Sequence, residues 1–297
     1  MSFTNKQSLL ILHLIIFVWG FTGILGELII MESIPLVFNR MLIAFISLYC
    51  FRLFFLKKKY ISVIDKIKFA ATGVLISIHW VFFFEAINIY NVSLAVTCLS
   101  STSFFTSIFD PILKGKKIKA HEIILSLLVI FGILIIFISP EKTNMDFRNK
   151  AILLAVVSAF FASVFTTINS IFINKGHSSF YITKYEMLGG SIFTLLYLFL
   201  DNNIDSNIIP KGNDILYLMI LGIVCTSLAY LISVEIMKKI KPFTMNISVN
   251  LEPIYAIILA ILFFKDQEIM SVGFYIGGFI IIISIILNSF FKKHLKK

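Results

Sequence analysis

Ten apolar runs, each about as long as a bilayer is thick, constrain this chain more than any other feature. They lie at roughly 9–30, 35–56, 67–87, 92–113, 122–139, 151–173, 179–200, 214–236, 243–264 and 270–291. A hydrocarbon core of about 30 Å takes ~20 residues of helix to cross. The runs mix Leu, Ile, Phe and Val without period-two alternation, so they predict helices rather than the strands of a transmembrane barrel. The expected fold class is an all-α polytopic membrane protein with ten transmembrane helices.

Composition closes the other routes. The 297 residues are 59% hydrophobic and 14% charged, where soluble domains carry roughly 45–50% and about 25%. A soluble core of this size could not hide that much apolar surface. A soluble enzyme, a disordered chain and a disulfide scaffold are excluded. Cys50, Cys98 and Cys225 are scattered through apolar runs with no CxxC or Cys/His spacing, so no zinc site and no cofactor is expected. The first run is too long for a signal peptide, follows only Lys6, and lacks a small-residue cleavage site.

Ten passes place both termini on one side. Nineteen of the 26 basic residues fall on that side and five on the other, with Arg40 and Lys184 inside spans. The positive-inside rule therefore predicts cytoplasmic termini. The net charge of +10 is then a topology signal and a contact to membrane lipids rather than a nucleic-acid footprint. High Ile, Lys, Asn and Phe suggest an AT-rich bacterial genome, hence a bacterial plasma membrane.

The two halves of the chain align. At a constant offset of 150, residues 79–137 face 229–287: Glu85 meets Glu235, Trp80 meets Tyr230, and Ser100, Ser101 and Thr102 meet Asn250, Leu251 and Glu252. Upstream the offset is 146, and Arg40 meets Glu186. Residues 1–144 and 145–297 are thus read as two repeats of five helices. An odd number of spans per half turns the second half upside down, the inverted design of many secondary transporters, whose substrate sites lie at the repeat interface near the bilayer midplane.

These residues resemble the EamA family of the drug/metabolite transporter superfamily. The first repeat carries VWG at 18–20, Arg40, HWVFFFEAINIYNVSLA at 79–95 and SSTSFFTSIFDPIL at 100–113. The second carries YEMLGG at 185–190, CTSLAYLISVEIMKKIKPFTMNISVNLEP at 225–253 and YIGGFIIIISIIL at 275–287. The resemblance implies ten helices and transport of small metabolites, commonly export. The Gly-Glu that commonly closes the fourth helix of such repeats is replaced by KGKK at 114–117 and KDQE at 265–268, so no role for that glutamate carries over.

Ionisable groups inside a membrane cost a few kcal/mol each on insertion scales, so they should face a cavity or one another. Arg40 and Glu85 are expected near one end of the bundle, and Glu186 and Glu235 near the other, as paired gating clusters; the alternative is that they are hydrated near the headgroups. His79 and Trp80 in mid-helix 3 are candidates for substrate contact, the histidine by donating or titrating and the indole by stacking or capping a cation. Ser100, Ser101 and Thr102 either line a polar patch or bond to their own backbone. Asn250 and Glu252 occupy the equivalent depth beside Pro253, whose missing N–H frees the carbonyl of Val249. Tyr230 and Trp19 complete the substrate-binding set. Glycines at 20, 23, 26, 189, 190, 277 and 278 permit close helix contacts.

The function expected is a secondary transporter of a small polar metabolite, such as an amino acid or related organic ion, with protons as a candidate co-substrate. A flippase of a lipid-linked metabolite is the alternative. No Walker A, HExxH or GxSG pattern occurs, so neither ATP hydrolysis nor an intramembrane enzyme is expected.

Overall fold

The computed structural model describes residues 4–55, 60–139, 145–200, 208–264 and 270–294. The junction expected between the repeats (140–144), the lysines at 57–59 and the KDQE segment lie outside the described residues. Ten helical segments follow the ten runs: α1 (Asn5–Leu28), α2 (Ser33–Phe55), α3 (Val63–Ile89), α4 (Val92–Leu113), α5 (Ala120–Ile138), α6 (Met145–Asn174), α7 (Ser179–Leu200), α8 (Asn213–Ile236), α9 (Pro242–Phe264) and α10 (Val272–His294). No strand occurs among the described residues.

Eight segments are long and apolar enough to cross a membrane on those grounds alone, and α10 has a shorter apolar part, Val272–Asn288. The remaining one, α7, carries Lys184, Glu186 and two adjacent glycines, which lower its hydropathy. Large apolar side chains such as Leu10, Phe54, Leu134, Leu200 and Leu262 are exposed along the outer faces. Water would penalise that arrangement and lipid would not.

Local chemistry starts the helices. Thr4 and Gln7 form a capping box ahead of α1. Ser62 and Asn91 accept the Asp65 and Leu94 N–H groups to start α3 and α4, each satisfying a donor the first turn leaves orphaned. Pro242 opens α9, where its missing N–H costs nothing.

Two helices break at equivalent places. α4 tightens at Ser100–Ser101, between Val92–Leu99 and Thr102–Leu113. α9 tightens at Asn250–Leu251, between Pro242–Val249 and Glu252–Phe264. The spacing is the repeat offset of 150. Both breaks run through i→i+3 bonds, Phe104 N to Ser101 O at 3.0 Å and Ile254 N to Leu251 O at 3.1 Å, which wind the chain more tightly than an α-helix. α8 does the opposite: Ile220–Leu228 is a π-helix.

The central helices pack through glycine. A Cβ on Gly73 of α3 would collide with the backbone carbonyl of Glu186, and one on Gly189 of α7 with that of Ala70. α5 and α10 meet similarly at Gly132 and Gly277, whereas Gly278 has nothing within 4 Å. The expected close contact at Gly278 is therefore not formed: that residue lies about 100° further round α10 than Gly277.

Candidate functional site

A cavity lies halfway along the bundle, walled by residues of both repeats. Trp19, Arg40, His79, Trp80 and Thr102 come from the first half, and Tyr230 and Glu252 from the second. Met237 and Met245 bound it toward the turn from α8 to α9, and Phe83 bounds it toward the opposite end. Beyond Phe83 the helices close up: a Cβ on Gly23 would lie 2.6 Å from Val92, and one on Gly26 would clash with the Phe84 ring.

Arg40 is 2% exposed. Its guanidinium lies 3.8 Å from the centre of the Trp80 ring, and its Nε donates to the Thr226 hydroxyl at 2.6 Å. Thr226 can accept because the π-helix presents it there, its own hydroxyl donating to the carbonyl of Leu221 at 2.7 Å. The same wide turn offers the Cys225 carbonyl, which accepts the Trp19 indole N–H at 3.1 Å. Such π segments recur at functional sites because they free backbone and side-chain groups. Arg40 Nη1 has no hydrogen-bond partner, and Glu252 is buried on the same cavity wall. One cation and one acid thus share a largely apolar chamber.

His79 is bound to α6. Its Nδ1 lies 3.0 Å from the Ser158 carbonyl, and the Ser158 hydroxyl donates to the His79 carbonyl at 2.8 Å. The Ser158 hydroxyl also lies 2.7 Å from Nδ1, so both polar groups of Ser158 hold the ring. Tyr230 accepts from the Asn169 amide at 2.7 Å and meets Trp80 edge-on at 6.3 Å between centroids. Thr102 donates to the Leu99 carbonyl at 2.7 Å.

Three expected substrate contacts lie elsewhere. Ser100, Ser101 and Asn250 are buried but off the cavity wall. Ser101 bonds the Cys98 carbonyl at 2.9 Å. With its amide turned to suit its neighbours, Asn250 donates to the Asn246 and Ser100 carbonyls, both at 3.2 Å. These residues hold one helix break against the other. A run of four hydroxyls circles a helix, so most of them must point away from any one cavity.

The expected gating clusters are also rearranged. Arg40 and Glu85 form no ion pair: Arg40 turns into the cavity, while Glu85 accepts the Ser33 hydroxyl at 2.6 Å. Glu186 and Glu235 do not face each other. Glu235 accepts from Ser179 at 2.8 Å and pairs with Lys238. Glu186 is fully buried beside Tyr230 and Asn169, and neither oxygen has a hydrogen bond. In α2–α3 and in α7–α8 one helix starts where the other ends, so the serine that opens the helix is the nearer partner for each glutamate.

Sequence reasoning missed Thr226, Asn246, Ser33 and Ser179. The two serines had a usable signal, since the offset of 146 that pairs Arg40 with Glu186 also pairs Ser33 with Ser179. Asn246, on the cavity wall, donates to Thr106 at 2.7 Å. Among the described residues no group of three or more His, Cys, Asp and Glu could hold a metal ion.

Ten helices in two repeats around a shared charged cavity define a membrane transporter of the two-repeat kind. The model of the EamA-like transporter family matches residues 6–138 and 149–290, and the chain belongs to that family, with one family unit in each half. No curated protein matches it. A solved structure, described only as the crystal structure of a protein, is similar over 95% of this chain and 96% of its own, with a TM-score of 0.68 and 14% identity. That likeness concerns the fold alone.

Proposed function

We propose that this protein is a secondary transporter, not an enzyme, which carries a small polar metabolite by alternating exposure of the central cavity. The substrate class is an amino acid or related organic ion, and the direction is export. The observation that carries this reading is the presence of Arg40 and Glu252 on the wall of one chamber between the repeats. A carboxylate on the substrate would meet Arg40, whose planar fork suits it. A substrate ammonium, or a proton, would meet Glu252. Trp80, Tyr230 and Phe165 would cover the apolar part. Burying Arg40 without a full set of partners is costly, and a bound anion would offset that cost.

In this reading the termini are cytoplasmic, in a bacterial plasma membrane. The close packing of α1 near Gly23 and Gly26 then seals the outer side.

The test is exchange of labelled amino acids in proteoliposomes with an internal pH dye. Saturable exchange that Arg40→Gln abolishes, and a substrate-driven pH change that Glu252→Gln removes, are the expected results. Exchange unaltered by Arg40→Gln would overturn the assignment. Activity confined to lipid-linked compounds would point to a flippase instead.

A further inference from the structure

A second cluster of charge lies outside the cavity, where α2, α3 and α7 meet at the end that carries most of the basic loop residues. Lys184, in the second turn of α7, is only 6% exposed. Its Nζ lies 5.0 Å from the Tyr49 ring, 5.2 Å from Tyr185 and 5.9 Å from Phe45. No hydrogen bond or ion pair to Lys184 occurs among the described residues. Lys66 lies over the same Tyr185 ring at 5.8 Å, and Arg52 follows Tyr49 by one turn on the same face of α2. Glu186, two residues along, is turned toward Tyr230 on another side of the helix.

Aromatic faces attract a cation, yet neighbouring positive charges repel one another. Among the described residues no carboxylate forms an ion pair with Lys184, Arg52 or Lys66. The surroundings of the cluster say what kind of anion suits it. Ile46, Tyr49 and Leu53 expose 49%, 42% and 55% of their surface along the same stretch of α2, an apolar strip of the sort that lies against acyl chains. Arg52 is in the last turn of α2 and Lys66 in the first turn of α3, at headgroup level if these helices span a bilayer. Basic pockets between helices at that level suit phosphate headgroups.

We propose that Lys184, Arg52 and Lys66 form a binding site for the headgroup phosphate of an anionic phospholipid, with its acyl chains along the exposed strip of α2. The guanidinium of Arg52 and the two ammonium groups would contact the phosphate, and the Tyr49 and Tyr185 hydroxyls are further donors.

The test uses the purified full chain in phosphatidylcholine vesicles, titrated with phosphatidylglycerol and followed by thermal unfolding. Saturable stabilisation is expected. In Lys66→Gln and Arg52→Gln, half-saturation should require about fivefold more phosphatidylglycerol, the factor that one basic contact at a lipid surface is worth, and more in Lys184→Gln. Lys116→Gln, on an exposed turn at the same end, should titrate like the wild type. Lys66 and Arg52 are only half-buried, so their variants keep the test informative if Lys184→Gln fails to fold. Equal titration of all variants overturns the proposal. So does equal stabilisation by inorganic phosphate in pure phosphatidylcholine, which would make the ligand a soluble anion.

Discussion

Ser33 donates its hydroxyl proton to Glu85 at 2.6 Å, tying the start of α2 to the end of α3. The second repeat makes the same bond between Ser179 and Glu235 at 2.8 Å. The offsets of 146 and 150 that align the halves relate both serines and both glutamates. The bonds sit at opposite ends of the bundle, and each lies within one repeat. They are braces that hold a helix pair together, not gates between the halves.

The two braces should act independently. A hydrogen bond to a charged acceptor contributes about 1.5–3 kcal/mol, and partial exposure places these near the lower bound. Ser33→Ala and Ser179→Ala should each lower the unfolding free energy by about 1–1.5 kcal/mol, and the double variant should give the sum within about 0.5 kcal/mol, as distant sites do. Denaturant titration in detergent measures this. Strong non-additivity would mean that the two ends communicate.

Arg40 should not be replaceable by lysine. An ammonium can neither stack flat on Trp80 nor donate from Nε to Thr226 while keeping a fork for a carboxylate. Arg40→Lys is expected to raise the half-saturating substrate concentration at least tenfold, the equivalent of about 1.4 kcal/mol. Transport kinetics in proteoliposomes decide it, and wild-type values in Arg40→Lys would refute the stacking argument.

Thr226 supports that arginine from a π-helical turn. Thr226→Val keeps the shape but removes the acceptor, leaving Nε buried and unpaired at about 1–3 kcal/mol. Thr226→Ser restores it. Transport and melting temperature should both fall in the valine variant and both recover in the serine variant.

Glycines divide sharply by position. Gly73→Ala and Gly189→Ala drive a methyl into a neighbouring backbone, which cannot rotate away as a side chain can. Overpacking of that kind costs about 1–3 kcal/mol and sometimes more. Gly278→Ala meets nothing within 4 Å and should be neutral or slightly stabilising, because alanine is the better helix former. Thermal melts of the three variants test this; a large loss in Gly278→Ala would contradict the packing described.

The cavity was half legible in the sequence. Trp19, His79, Trp80, Thr102, Tyr230 and Glu252 all reach its wall. Ser100, Ser101 and Asn250 share their depth but not their direction. Depth follows from position along a span, which a sequence records. Direction depends on how each helix is rotated about its own axis, and one residue changes that by about 100°. The π-helix at Ile220–Leu228 had no signal, since its sequence, ILGIVCTSL, fits an ordinary membrane helix equally well.

Sequence alone determined the ten helices and their two-repeat order, because bilayer thickness and the exclusion of unpaired backbone from lipid leave almost no other solution. Only the tertiary structure decided which charges meet. It placed Arg40 on Trp80 rather than on Glu85 and Lys184 among tyrosines rather than beside an acid. Those choices depend on helix rotation and glycine-sized gaps between neighbours, and contacts of that kind are made between residues too far apart in the chain for any local pattern to record.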